Sequence, residues 1–461
     1  MKVLLVGAGK LGFRLAKSLV DENCDITILD NDDKVIENVN NSLDVLTVNA
    51  NALDFQILEE LDLGSYDLLI AATTSDEANV LISTLSKRLG VNRVIARVRN
   101  PEYHSQIRFI MNELGIDEII NPDHATAVSI EKYLLKKYLL VSDEFANGKV
   151  KLVDFHIGSD ANFIDKKIKE LKDLPQLLIA AITRDGKTII PNGETILREK
   201  DSILIVGARD DIESFDKNHS DISKHKSVKK VIILGGGKLG LYLGLLLDND
   251  GIETTIIERD PQRCNELMEK LPNTMIINAD GTDLNILNEE MIDSYDAFVA
   301  ATGIDETNIL MALTVKQLGV YKSVAKLSRS NYDKIIDKLN LDAAFNTSLI
   351  TASAILKFVR GHGFLSVNLM QDGETEFTEI ILDKETNVLN KPLKDLDLPK
   401  EVLITSMVRE NTVIIPNGNT ELKEGDRIIV FCRHEKIQAI KKYFNLRNNK
   451  GGFFSELRDS F

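Results

Sequence analysis

Lys2-Val3-Leu4-Leu5-Val6-Gly7-Ala8-Gly9-Lys10-Leu11-Gly12 opens the chain after Met1, and Ile26-Thr27-Ile28-Leu29-Asp30 follows a short way on. The run over residues 2–6 has the length of a buried parallel strand and is too short for a buried helix. G-x-G-x-x-G follows it without a gap, at the point where a strand would turn into a helix. Leu11, Leu15, Leu19 and Val20 recur at helical spacing, with Arg14, Lys17 and Asp21 on the other side. A second strand ends on Asp30, eighteen residues after Gly12. The stretch reads as a βαβ unit with a carboxylate at the tip of its second strand. Gly7 permits the sharp turn, Gly9 leaves room for a pyrophosphate against the backbone, and Gly12 lets helix and strand pack closely. Amides at the helix start attract phosphate. Asp30 can accept both ribose hydroxyls and would repel a 2′-phosphate, which favours NAD-type or adenine-nucleotide ligands over NADP.

The pattern returns. Val231-Ile232-Ile233-Leu234 leads into Gly235-Gly236-Gly237-Lys238-Leu239-Gly240, and Thr254-Thr255-Ile256-Ile257 ends on Glu258. Glycines and acid are both displaced by 228 residues. The repeat goes further: Asn49-Ala50-Asn51-Ala52 matches Asn278-Ala279-Asp280-Gly281, and Tyr66-Asp67 matches Tyr295-Asp296. Ala72-Thr73-Thr74 matches Ala301-Thr302-Gly303, and Arg97 matches Lys326. Between the copies, residues 150–208 change to short strands broken by turns at Asp185-Gly186 and Pro191-Asn192-Gly193. Ile190-Pro191-Asn192-Gly193 recurs as Ile415-Pro416-Asn417-Gly418. The expected fold class is α/β, two doubly wound Rossmann-like parallel sheets, each followed by a small β-rich α+β module. The expected boundaries are 1–122 for the first nucleotide domain, 123–149 for an amphipathic crossover helix and 150–209 for the first small module. A polar linker is expected over 210–229. Then come the second nucleotide domain at 230–347, a crossover helix at 348–364, the second module at 365–444 and a tail at 445–461.

Bulk properties narrow the function. At 461 residues the chain exceeds what one core usually organises. A net charge of −15 argues against a nucleic-acid surface or anionic lipid. No apolar run approaches the length of a bilayer span, so a cytoplasmic protein is expected. Cys24, Cys264 and Cys432 share no metal-like spacing and read as packing residues of a reducing compartment. His219 and His225 read as solvated linker residues. No catalytic constellation is present: His104 and His156 do not repeat, and Ser, Cys and metal chemistries lack a matched set. No metal site is expected.

The duplicated dinucleotide domain, each copy followed by a module with an Ile-Pro-Asn-Gly turn, resembles the regulatory subunits of Trk-type potassium uptake systems, the TrkA-like proteins. The units resemble their regulator-of-potassium-conductance (RCK) N and C domains. The resemblance covers Met1 to about Phe444. It implies a first site made of Gly7, Ala8, Gly9, Lys10, Leu11 and Gly12, with Asp30 on ribose. Asn51 and Ala52 would lie near adenine, and Thr73, Thr74 and Arg97 further along the ligand. The second site would use Gly235 to Gly240, Glu258, Asp280, Gly281, Thr302, Gly303 and Lys326, and its substitutions imply a different affinity or ligand. Arg259 beside Glu258 hints at a 2′-phosphate, which the carboxylate opposes. The ligand implied is NAD or NADH, or ATP or ADP. The implied role is a peripheral regulatory subunit, a homo-oligomer of tetramer form, on the cytoplasmic face of a membrane-embedded potassium-transport subunit. The alternative is an NAD-dependent oxidoreductase with duplicated cofactor domains.

Overall fold

A computed structural model describes residues 1–135, 145–158, 163–171, 176–184, 187–219, 227–329, 332, 336, 339, 341–361, 363–370 and 374–446. Asp185-Gly186, His225 and the tail from residue 447 lie outside these, as do the side chains of His104 and His156.

The first nucleotide domain alternates strand and helix throughout: β1 (Lys2–Val6), α1 (Lys10–Asp21), β2 (Asp25–Asp30), α2 (Asp33–Ser42), β3 (Leu46–Asn49), α3 (Phe55–Glu60), β4 (Leu68–Ala71), α4 (Asp76–Arg88), β5 (Arg93–Arg97), α5 (Ile107–Leu114) and β6 (Glu118–Ile120). The order β3-β2-β1-β4-β5-β6, all parallel, places β1 next to both β2 and β4. Topology therefore reverses beside the glycine loop, which is where such sheets bind ligands. Asp67 explains the repeated Tyr-Asp pair. Its carboxylate accepts from Lys2 N at 2.9 Å, and the Tyr66 hydroxyl reaches Thr27 Oγ1 at 3.0 Å, so the dipeptide ties the start of β1 and the middle of β2 to the entry of β4.

α6 (Pro122–Leu135) follows, then the first module: β7 (Val150–His156), β8 (Leu177–Arg184), β9 (Lys187–Ile189), β10 (Ser202–Ala208) and α7 (Arg209–His219). Its sheet is antiparallel, in the order β7-β10-β8-β9. Here one expectation fails. The stretch read as a linker begins with α7, whose Ile212 and Phe215 are buried in the module's core with Val153 and Ile205. Two apolar residues at i, i+3 dock this short helix, whose nine other residues are all charged or polar; against that polar background the signal is faint.

The second nucleotide domain repeats the first with β11 (Lys230–Leu234), α8 (Lys238–Asn249), β12 (Glu253–Glu258), α9 (Pro261–Lys270), β13 (Met275–Asn278), α10 (Leu284–Glu289), β14 (Ala297–Ala300), α11 (Asp305–Gln317), β15 (Lys322–Leu327) and β16 (Ala343–Asn346). The parallel order is again β13-β12-β11-β14-β15-β16. α12 (Thr347–Arg360) leads to β17 (Phe364–Leu369), β18 (Thr375–Ile381), β19 (Val402–Arg409), β20 (Thr412–Ile414), β21 (Arg427–Arg433) and α13 (Ile437–Tyr443). The last sheet is antiparallel, β17-β18-β21-β19-β20.

In space the chain sorts by type, with the two parallel-sheet domains in one compact unit and the two antiparallel modules in another. Within the first unit, α6 leaves the first domain and packs on α8 of the second. Ala127, Ile130, Tyr133 and Leu134 join a core with Leu239, Leu243 and Val299. This accounts for the apolar character of α8 all round: one face covers its own sheet and another receives α6. Lys322 at the start of β15 finishes the contact, its Nζ donating to the Tyr133 and Leu134 carbonyls at 2.8 and 3.2 Å. Burial pulls that ammonium down to about 8. Within the second unit the two sheets share a core, with Phe145, Leu152 and Val206 packed with Phe377, Ile429 and Phe431.

Candidate nucleotide sites

Both glycine loops are built alike. Gly7 has φ +90°, and a Cβ there would sit 2.9 Å from the Ala72 carbonyl and the Thr73 amide. A Cβ on Gly12 would lie 1.9 Å from the Gly7 carbonyl oxygen, so only glycine allows α1 to start this close to β1. Gly9 differs: its Cβ would meet nothing within 4 Å. The space beside it is open, and α1 starts there with no side-chain cap. Gly235, Gly240 and Gly237 repeat these three situations. Gly236 stands in place of Ala8, and a Cβ there would lie 2.4 Å from Leu267 Cδ1, which would have to move aside.

The acids are anchored. Asp30 Oδ2 accepts from Ala8 N at 2.7 Å and Oδ1 from Asp32 N at 3.0 Å. Glu258 repeats the pattern with Gly236 N at 2.8 Å and Asp260 N at 3.0 Å. Each carboxylate is thus held against its own glycine loop, with lone pairs left for a ribose. The longer Glu258 reaches the same place as Asp30.

At the far side of each site a buried asparagine joins two strand ends. Asn79 accepts from Thr73 N at 2.8 Å and from Thr73 Oγ1 at 2.7 Å, and donates to the Arg97 carbonyl at 2.9 Å. Asn308 does the same for Thr302 and Lys326. Ser75 caps α4, its side chain accepting from Ala78 N. Asp76 accepts from Asn100 N at 2.8 Å. Arg97 Nη1 donates to the Thr73 carbonyl at 2.7 Å, and burial pulls its guanidinium below the ordinary value. Lys326 is lowered by burial too, with Asp305 and Asp123 opposing, and its Nζ lies 3.4 Å from the Thr302 carbonyl. Thr74 and Gly303 are exposed beside them.

Other expected residues serve the scaffold with their side chains. Ala52 is buried in the first domain's core and Leu239 in the second's. Asn51 Oδ1 accepts from Leu53 N and Asp280 Oδ1 from Thr282 N, each at 3.0 Å, which folds the turn after the third strand. A Cβ on Gly281 would lie 2.3 Å from Leu234 Cδ1, so that side chain would have to shift. Lys238 points across to the first domain, 3.5 Å from Asp76. Arg14, expected on the solvent side of α1, is 9% exposed. It lines a cavity of about 480 Å³ over the first loop, to which the second domain contributes Ser328, Arg329, Asn346 and Ser348. Sequence reading missed these four. The available signal was a difference between repeats, since Ser328 and Ser348 stand where the first copy has Arg99 and Asp123. Among the described residues no cluster of His, Cys, Asp or Glu could hold a metal ion.

Two acid-anchored glycine loops, each at the switch point of a parallel sheet, define a protein with tandem dinucleotide-type domains. Family models agree in detail: the TrkA-N domain matches residues 3–122 and 231–347, and the TrkA-C domain matches 152–220 and 377–445. The chain belongs to the TrkA family. It is 31% identical to Trk system potassium uptake protein TrkA homolog 1 of Methanosarcina mazei, over 96% of this chain and 100% of that one. It is 30% identical to Trk system potassium uptake protein TrkA of Haemophilus influenzae, over 96% and 98%. Among solved structures, the GsuK RCK domain aligns with a TM-score of 0.58 at 18% identity, covering 97% of this chain and 95% of that one. The GsuK channel bound to NAD aligns at 0.57 and 17%, covering 97% and 79%, a likeness of fold.

Proposed function

We propose that this protein is the peripheral cytoplasmic regulatory subunit of a Trk-type potassium uptake system, binding NAD(H) or an adenine nucleotide and gating a membrane-embedded transport subunit. The observation that carries the reading is the pair of anchored acids, Asp30 and Glu258, each hydrogen-bonded to its own glycine loop. Family membership over nearly the whole chain supplies the context, because its relatives are named as potassium uptake proteins and an NAD-bound channel shares the fold. In each site the glycine loop takes the pyrophosphate and the acid takes the ribose. The strand ends held by Asn79 or Asn308 face the remainder of the ligand. In this reading ligand binding acts through shape. A ligand shifts gating only if it binds one conformation better than another. Among the described residues no helix is long and apolar enough to cross a membrane, and the gated pore belongs to the partner.

The test is potassium flux into liposomes holding the membrane subunit, with and without this protein and each nucleotide. Flux that depends on the protein and changes when NAD, NADH, ATP or ADP is exchanged supports the reading. Flux indifferent to all of them sinks it, and steady oxidation of NADH with a small substrate would favour the oxidoreductase.

A further inference from the structure

We propose that Arg263 is the positioning residue of the second nucleotide site, a role that rests on the nucleotide reading above: it holds the second glycine loop in the shape that receives a pyrophosphate. Arg263 stands in the first turn of α9, just after the strand that ends on Glu258. Its Nε donates to the Gly236 carbonyl at 2.7 Å, and Nη2 lies 3.5 Å from the Gly237 carbonyl. Nη1 meets Glu266 on the same helix at 2.6 Å, so the guanidinium is fixed from both sides. The carbonyl of one residue and the amide of the next belong to one planar unit and move together. Fixing the Gly236 and Gly237 carbonyls therefore fixes the amides of Gly237 and Lys238, at the uncapped start of α8. Those amides are the donors that a helix start offers an anion.

The first half of the chain shows what Arg263 replaces. The two loops share one backbone shape, with Gly9 at φ −60°, ψ −164° and Gly237 at φ −63°, ψ −167°. They hold it with different residues. Ala8, Val35 and Val39 of the first half become Gly236, Arg263 and Leu267, each displaced by 228 residues. Glycine at 236 removes a methyl group and makes three successive glycines, which adds conformational freedom to the loop. Two side chains of α9 make up for it. Leu267, fully buried, sets its Cδ1 2.4 Å from where that methyl would lie, and Arg263 takes the carbonyl. They are four residues apart and so share one face of the helix. Val35 holds the matching place beside the first loop, where it lines the cavity and has no donor to give. The three changes form one exchange, a loop stiffened by its own Cβ against a loop stiffened by the helix next to it. An arginine that served only solubility would turn to water, whereas this side chain is 23% exposed and points its fork at the loop.

The experiment is calorimetric titration of the full chain with NAD, and with adenosine as a competitor, in an Asp30→Ala background that sets the first site aside. Arg263→Ala is compared there with Arg263→Gln and Arg263→Lys. Glutamine carries its side-chain nitrogen the same number of bonds from the backbone as the arginine Nε, so it can keep the bond to Gly236 without the charge. Arg263→Ala is expected to weaken NAD by about tenfold, the loss of one hydrogen bond from a charged donor, and adenosine by less than about twofold. Arg263→Gln should recover most of the NAD affinity. Amide exchange over residues 235–241 of the unliganded protein gives a readout independent of nucleotide, faster in Arg263→Ala and near wild type in Arg263→Gln. NAD affinity and loop exchange both unchanged in Arg263→Ala overturns the proposal. So does affinity kept by Arg263→Lys and lost in Arg263→Gln, which would make the residue a charge and no more. Equal losses for NAD and adenosine also overturn it, since they mark general damage. Failure of the nucleotide reading looks different: the parent chain then binds no NAD at the second site, and amide exchange alone decides whether Arg263 holds the loop.

Discussion

At the residue scale the glycines of one loop separate folding from binding. Gly12 has no room for a Cβ, so Gly12→Ala must push α1 off β1 at a cost of about 1–3 kcal/mol or more. Gly9 has open space, so Gly9→Ala should fold normally and place a methyl group where the pyrophosphate approaches. Thermal melts beside nucleotide titrations check this pair: both lost in Gly12→Ala, only binding lost in Gly9→Ala. Asp30 carries the ribose in the same argument. A charge-assisted hydrogen bond contributes about 1.5–3 kcal/mol, so Asp30→Ala should weaken NAD at the first site by about tenfold to a hundredfold. Glu258→Ala should touch only the second site. Binding abolished at both by either variant would mean that the two pockets do not act separately.

At the element scale α6 belongs to one domain by sequence and to the other by packing. Leu134 is buried in the second domain's core, so Leu134→Ala should cost about 2–5 kcal/mol. The place of the damage is the sharper test. Amide hydrogen exchange should quicken in α8 while β1 to β6 stay protected, and the reverse pattern would contradict the packing. In the second unit, the end of α12 is fixed by a buried cluster. Arg360 Nη1 and Nη2 donate to Glu376 at 2.6 and 2.8 Å, and His434 Nδ1 meets the same carboxylate. Burial alone would raise Glu376, but Arg360 outweighs it and, with His434, holds the carboxyl at about 2, below its ordinary 4.5. A carboxylate depressed by folding adds stability above its ordinary value and loses it as pH falls through the folded one. Stability should therefore drop between pH about 4.5 and about 2. Glu376→Gln should be less stable at neutral pH, by about 3–5 kcal/mol, and should lack that slope in acid denaturation.

At the scale of the whole molecule, the two nucleotide domains expose large apolar residues at equivalent places. Leu81 on α4 and Leu310 on α11 are 49% and 64% exposed, and Phe55 and Leu284 are exposed at the starts of α3 and α10. Single exposed leucines are ordinary, but the same positions exposed twice form a repeated surface suited to another copy of the chain. Light scattering should give a mass near four chains at micromolar concentration, and Leu81→Asp with Leu310→Asp should lower it. A wild-type monomer would refute the homo-oligomer that the family resemblance implies.

Much of this was legible in residue order because its causes are local. The glycine loops, the acid eighteen residues on, the alternation of strand and helix and the Tyr-Asp pair each act within a few turns or neighbouring strands. Duplication then let each half vouch for the other. α7 was missed because Ile212 and Phe215 are its only strong apolar signal, and their burial depends on a core made by distant strands. The sorting of domains by type was also beyond reach, since α6 could cover its own sheet or another with the same apolar stripe. Arg329 was further still: it stands 319 residues from Lys10 in the chain, and only the fold brings the two to the lining of one cavity. Periodicity and turn chemistry determine elements and their class. Which surfaces meet is decided by long-range packing, where a side chain's charge acts on whatever the fold brings near.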